Sequence, residues 1–288
     1  MVRRPPDRFV FDPADREQAV LDVIKSARHR LILSLFRCDD TSILDGLAAA
    51  VERGVDVRVL MTPRAKGWPK RLRVLGGLLN AMGAMPIRYA DPVVKYHAKY
   101  IVADRDRALV ASLNFTRKCF RRTCDFLLTT HDADVVQGLT KLFTIDCRPH
   151  VASRRLRFGS RLIVGPEHAR VELTRLIASA ARSIRIVDPR LTDPGMRTLL
   201  KAKRAEGVSV TVLGREQMRK WMPHGKMTII DERIGVIGSI SLSPPALDVR
   251  REVAVIVRSR ACVARMNRTF QRLARQRVKK PRTRSSRR

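Results

Sequence analysis

The chain has 288 residues, 44% of them hydrophobic, enough for one large domain or two smaller ones with a sizeable core. Its formal net charge of +32, from 59 basic and 27 acidic residues, predicts attraction to polyanions, although a bias toward arginine (46 Arg against 13 Lys) would give much of that charge without function. No run of 18 apolar residues occurs and MVRRPPDRF leads into no apolar segment, so no signal peptide or membrane span is expected; Cys38, Cys119, Cys124, Cys147 and Cys262 form no CxxC pair, so reduced, mostly buried thiols in the cytoplasm are expected.

In chain order, residues 19–27 have helical spacing and LILSLF (31–36) reads as a buried strand. Residues 40–53 read as a helix capped by Asp40 or Thr41 and stopped by Gly54, and VDVRVL follows as an alternating strand. A basic helix, PKRLRVLGGLLNAMG, closed by Gly83, and a short strand, MPIRYA, come next. The second half replays the opening: a helix over 167–180, strand SIRIVD, a helix over 193–206 stopped by Gly207, and strand VSVTVL. ERGVDVRVL and AEGVSVTVL align residue for residue.

Such alternation implies an α/β fold of two pseudo-symmetric α/β/α halves, each a mostly parallel mixed sheet flanked by helices. The expected division is 1–155 and 156–277, with 278–288 (VKKPRTRSSRR) as a disordered basic tail. Gly54 and His97 are 43 positions apart and Gly207 and His224 only 17, so the first half carries an insertion of 26. Substrate selection and plain surface elaboration both fit it.

The chemistry-bearing repeat is HAKYIVAD (97–104) and HGKMTIID (224–231). Chance would produce roughly 0.02 copies of HxKxxxxD in this composition. ASLN (111–114) follows the first copy and GSIS (238–241) the second, each with an acid 11 residues further on, Asp125 and Glu252. On a strand His97 and Lys99 would share a face, as would His224 and Lys226, while Asp104 and Asp231 at an odd offset would not. The intervening Ala98 and Gly225 are small enough to let another group approach the backbone.

These motifs resemble the paired HKD motifs of the phospholipase D superfamily, and the resemblance covers nearly the whole chain through the repeat. It implies metal-free and cofactor-free phosphodiester transfer at a site between the halves. The catalytic set would be His97, Lys99, Asp104, His224, Lys226 and Asp231, with His97 as the nucleophile that becomes phosphohistidine and His224 as the acid/base. Ser112, Asn114, Ser239 and Ser241 would bind phosphate, and Asp125 and Glu252 would orient the imidazoles. Ala111 replaces the usual glycine and Ser241 the usual asparagine, which leaves an inactive polyanion-binding relative as one alternative.

Two substrates fit: glycerophospholipid at an anionic membrane surface, or nucleic acid cleaved by an HKD nuclease. Only 5% of residues are aromatic, few for stacking bases, and two fused motifs look more like the lipid-acting branch. The lipid reading is preferred, with a monomer held peripherally at the inner membrane face by charge.

Overall fold

The computed structural model describes residues 7–91, 93–148, 156–218 and 221–275; the tail at 278–288 and the boundary segment 149–155 lie outside the described residues. The first half opens with Asp7–Val10 (β1), Pro13–Ser26 (α1), Arg30–Leu35 (β2), Thr41–Glu52 (α2), Asp56–Met61 (β3), Pro69–Ala81 (α3) and Met85–Arg88 (β4). It continues with Lys95–Tyr96 (β5), Tyr100–Ala103 (β6), Arg107–Ala111 (β7), Arg117–Arg121 (α4), Thr123–Cys124 (β8), Leu127–Thr130 (β9) and Ala133–Asp146 (α5). The second half comprises Leu162–Gly165 (β10), Ala169–Ala178 (α6), Ser183–Val187 (β11), Pro194–Ala205 (α7), Ser209–Leu213 (β12), Met222–Pro223 (β13), Lys226–Ile230 (β14), Ile234–Gly238 (β15), Pro244–Asp248 (α8), Arg250–Val257 (β16) and Arg260–Arg275 (α9).

The repeat read from the sequence is present in space. Asp40 and Asp193 are the N-caps of α2 and α7, and Gly54 and Gly207, at φ 81° and 85°, end them in the left-handed conformation. The insertion forms α3 and β4, the latter pairing in parallel with β3.

Both sheets are mixed, in the orders β1-β9-β7-β6-β2-β3-β4 and β10-β16-β15-β14-β11-β12, with β5 on β16. The expectation of mostly parallel sheets needs correction. Among the described strands, only β2/β3, β3/β4 and β11/β12 pair in parallel within a half, while β6/β7/β9 and β14/β15/β16 are antiparallel. The cause is local: Asp104 and Asp231 turn the chain at φ 53° and 50°, and strands joined by so short a turn must run antiparallel.

Helices flank one face of each sheet: α1, α2 and α3 share a core with β2 and β3, and α6 and α7 share one with β11. The opposite faces meet in a joint core in which Val102, Val110 and Leu128 lie with Met227, Ile229 and Val255. Helix α5 joins this core and reaches β10, while α9 reaches back to β1. The two motifs are therefore held in one packed body. Among the described residues no helix is long and apolar enough to cross a membrane.

Candidate active site

Each histidine follows a two-residue strand borrowed by the other half. Strand β5 pairs in parallel with the start of β16, Lys95 opposite Arg250 and Tyr96 opposite Arg251, which carries His97 to the level of Glu252. Strand β13 pairs in the same way with β8, Met222 opposite Thr123 and Pro223 opposite Cys124, which carries His224 to the level of Asp125. His97 Nδ1 lies 2.9 Å from both Glu252 oxygens, and His224 Nδ1 lies 2.9 and 3.1 Å from those of Asp125. The carboxylates are crossed: each half orients the imidazole of the other. An ionised carboxylate only accepts, so each Nδ1–H donates and each Nε2 keeps its lone pair.

The close approach expected beside the small residues is by the other half's backbone. A Cβ on Gly225 would lie 2.4 Å from the Cys124 carbonyl oxygen, and the Gly225 N–H donates to that carbonyl at 2.6 Å. In the first copy, the His97 N–H donates to the Arg251 carbonyl at 2.9 Å.

Burial drives the His97 imidazole down to about 3, against the attraction of Glu252 and with the repulsion of Lys99 and Lys226. His224 is likewise lowered by burial, opposed by Asp125 and assisted by Lys226 and Lys99. Each imidazole thus feels the lysine of the other motif. Burial brings Lys99 down to about 7, with Glu252 opposing. Its Nζ donates to the His97 carbonyl and stands 5.2 Å over the Phe36 ring. Burial would raise the carboxyls of Asp125 and Glu252, but the adjoining histidines hold both below their ordinary values.

Several expected roles change. Asp104 and Asp231 lie at the far ends of β6 and β14, roughly 20 Å along the strand from the histidines at about 3.3 Å per residue. Their carboxylates accept the N–H groups of residues 28–30 and 181–183 at 2.7–2.9 Å, so they are backbone clamps and not catalytic groups. Ser112 and Ser239, placed above as phosphate ligands, are fully buried behind the site. Ser112 donates to Asp125 at 2.5 Å and accepts from the Phe126 N–H; Ser239 exchanges hydrogen bonds with Val253, next to Glu252. Strands β7 and β15 end beside the strands that carry the acids, and this proximity captures both hydroxyls. Asn114 is buried, and Ser241 pairs its hydroxyl with that of Ser243 at 2.8 Å.

The sequence reading missed Phe36, whose ring packs edge-on against His97 at 4.6 Å, and Thr123, which donates to Asp125 at 2.5 Å. Phe36 ends the LILSLF run beside a motif strand, a position that could have drawn notice; Thr123 has no such signal. It also missed Arg251, which is fully buried against Asp146 of the first half and Glu167, and so fixes the strand that bears Glu252.

Among the described residues, Cys119, Asp125 and His224 have metal-ligand spacing, their donor atoms all within 4.8 Å. Asp125 already serves His224, Ser112 and Thr123, and burial raises the Cys119 thiol. A protonated thiol and a fully engaged carboxylate suit a hydrogen-bond network better than a cation.

The family described as cardiolipin synthase, PLD-like domain, matches residues 20–146 and 214–274. The chain belongs to this family, within the phospholipase D superfamily. Cardiolipin synthase A of Pseudomonas aeruginosa strain PAO1 is 29% identical over 187 residues, covering 62% of this chain and 35% of that protein. Cardiolipin synthase A of Pseudomonas syringae pv. syringae is 27% identical over 161 residues, covering 49% and 33%. The chain thus spans about a third of the length of the curated relatives it matches. A phosphatidylserine synthase from Haemophilus influenzae has a similar fold, with TM-score 0.71, 13% identity, and 95% of this chain and 87% of that one covered. A polyphosphate kinase from Porphyromonas gingivalis gives 0.75 at 20% identity, with 93% and 47% covered.

Proposed function

We propose that the protein is a phosphatidyltransferase of the phospholipase D type, acting on glycerophospholipid at an anionic membrane surface. The observation that carries the chemistry is the crossed pair of contacts between partly buried imidazoles and fully buried carboxylates, His97 on Glu252 and His224 on Asp125, beside Lys99 and Lys226. The lipid class comes from the cardiolipin synthase relatives and their family.

In this reading His97, neutral because burial holds it low, attacks phosphorus through Nε2 and forms an N–P bond. The bond to the leaving alkoxide breaks, and His224 gives that oxygen the Nε2 proton. The proton is available because the arriving phosphodiester anion raises an imidazole that burial otherwise keeps neutral. An acceptor hydroxyl then loses its proton to His224 and displaces His97 from phosphorus, which restores both imidazoles. Lys99 and Lys226 oppose the negative charge that gathers on the phosphoryl oxygens.

The test is purified protein with phosphatidylglycerol vesicles in EDTA, scored for diphosphatidylglycerol and free glycerol, with single- and double-stranded DNA in parallel. Lipid product under chelation is expected. DNA cleavage without lipid turnover, or an absolute need for added divalent metal, would overturn the proposal.

A further inference from the structure

The halves differ most where the second lacks a counterpart of α3 and β4. With Asp40 matched to Asp193 and Gly54 to Gly207, Leu44, Ala48 and Val51 of α2 correspond to Arg197, Lys201 and Arg204 of α7. In the first half Leu44 and Val51 pack on the core that holds Leu72, Leu75 and Leu79 of α3. In the second half no described helix or strand takes that place: β12 is the outer strand of its sheet among the described residues. An open cleft of about 830 Å³ lies there, walled by Arg197, Lys201 and Arg204 on one side and Val212 and Arg215 on the other. Three apolar positions of α2, two of them packed on the first half's core, correspond to three exposed cations around a cleft in the other half.

These charges are only partly offset from within: against four cations the lining holds one exposed acid, Glu216. Among the described residues, Arg197, Lys201 and Arg215 have no ion-pair partner, and Arg204 reaches only the Val210 carbonyl, at 3.3 Å. Of the two acids in the lining, Asp188 is buried and held by the N–H groups of Arg190 and Leu242. Like charges at i and i+4 on a helix repel one another, so the row destabilises α7 unless an anion offsets it.

The cleft lies at the catalytic end of its sheet. Val187, next to Asp188, pairs with Met227, next to Lys226, and Arg215 also lines a second cleft, of about 740 Å³, with Arg122, Trp221 and Pro223, the residue before His224. The charged walls suit a headgroup and not acyl chains. Resting on the phosphatidyltransferase reading, we propose that this cleft is the acceptor subsite, in which Arg197, Lys201, Arg204 and Arg215 hold the phosphate of an anionic phospholipid whose headgroup hydroxyl is delivered to His224.

The test is the triple variant Arg197→Gln, Lys201→Gln, Arg204→Gln, which changes exposed helix positions to a good helix former. The control is Lys25→Gln, Arg28→Gln, Arg73→Gln, an equal loss of exposed charge in the first half. The cleft variant should raise KM for phosphatidylglycerol as acceptor at least tenfold, with kcat at saturation within about threefold, and the control should leave KM unchanged. Calorimetric titration with sn-glycerol 3-phosphate should show at least tenfold weaker binding to the cleft variant than to wild type. If wild type transfers nothing from lipid, the functional reading fails and the glycerol-phosphate titration alone decides the cleft. Unchanged glycerol-phosphate affinity, an equal rise of KM in the control, or loss of DNA binding with lipid KM intact would each overturn the proposal.

Discussion

Glu252→Gln probes the crossed arrangement directly. Glu252 is 1% exposed and places both oxygens 2.9 Å from His97 Nδ1, so the amide keeps an acceptor near the ring but loses the charge. That charge is the main influence raising His97 against burial; without it the imidazole falls further, becomes a weaker nucleophile, and loses the constraint on its tautomer. The loss should be about 10²–10⁴ in the rate of attack, or about 3–5 kcal/mol of barrier, the range seen when a carboxylate behind a catalytic imidazole becomes an amide. A nitrophenyl phosphodiester separates the steps, because its leaving group needs no proton and the burst of nitrophenolate reports attack alone. Glu252→Gln should slow the burst, whereas Asp125→Asn should leave the burst within a few-fold and slow the turnover that follows. Trapped phosphate should map to His97. If it maps to His224 the roles exchange, and Asp125→Asn must then slow the burst. Control of the burst by the acid in the same half as the labelled histidine would refute the crossing.

His97→Ala and His224→Ala should each reduce turnover below a few per cent of wild type with the thermal midpoint retained, because each removes one of two imidazoles with opposite duties. The wild-type burst rate should hold from neutral pH down to about pH 5, past the ordinary histidine value of about 6.5, and fall only as the pH approaches that of the depressed His97. Asp231→Asn should cost about 1–3 kcal/mol in denaturant unfolding, since it weakens three backbone hydrogen bonds of which only that from the Ser183 N–H is partly buried. The Asp231 carboxyl is lowered in the fold by those N–H groups, against desolvation, so the difference should be complete above about pH 4 and vanish as the pH falls through the folded value; a hundredfold loss of kcat without lost stability would return Asp231 to the chemistry.

The repeat was legible because it is written in local signals. Asp40 and Gly54 bracket α2 as Asp193 and Gly207 bracket α7, and each signal depends on a residue's own backbone preference. The pairing of strands was less legible, since an apolar run such as YIVA shows that a strand is buried and not which way its neighbour runs. The site's logic was hidden further. Asp125 and Glu252 each lie 28 positions after the histidine of their own motif, but β5, β8 and β13 are two-residue strands with no period to read. Their register exists only after the halves have packed, and that register decides which acid meets which histidine. Ser112 and Ser239 were misplaced for the same reason: a hydroxyl near a motif does not reveal whether it faces substrate or carboxylate.

One asymmetry between the crossed pairs links backbone spacing to acid length. Where the residue after the histidine is Gly225, the opposing backbone comes so near that a Cβ would stand 2.9 Å from the Asp125 Cα, and the acid there is the shorter aspartate. Where that residue is Ala98, fully buried with a methyl to accommodate, the opposing acid is the longer glutamate. Both nevertheless place an oxygen 2.9 Å from Nδ1. The methyl and the methylene thus occur together, and the test is whether a longer acid makes room for the larger residue. Gly225→Ala alone should push β8 away and draw Asp125 off His224, at about 1–3 kcal/mol of overpacking and a large loss of turnover. Asp125→Glu alone should crowd the imidazole in the narrow gap. The double variant reproduces the spacing already built around His97 and should turn over faster than either single variant, a coupling that a double-mutant cycle in kcat measures. Strict additivity of the two losses would show that the small residue and the acid act separately, and that the pairing of Gly with Asp and Ala with Glu has no mechanical meaning.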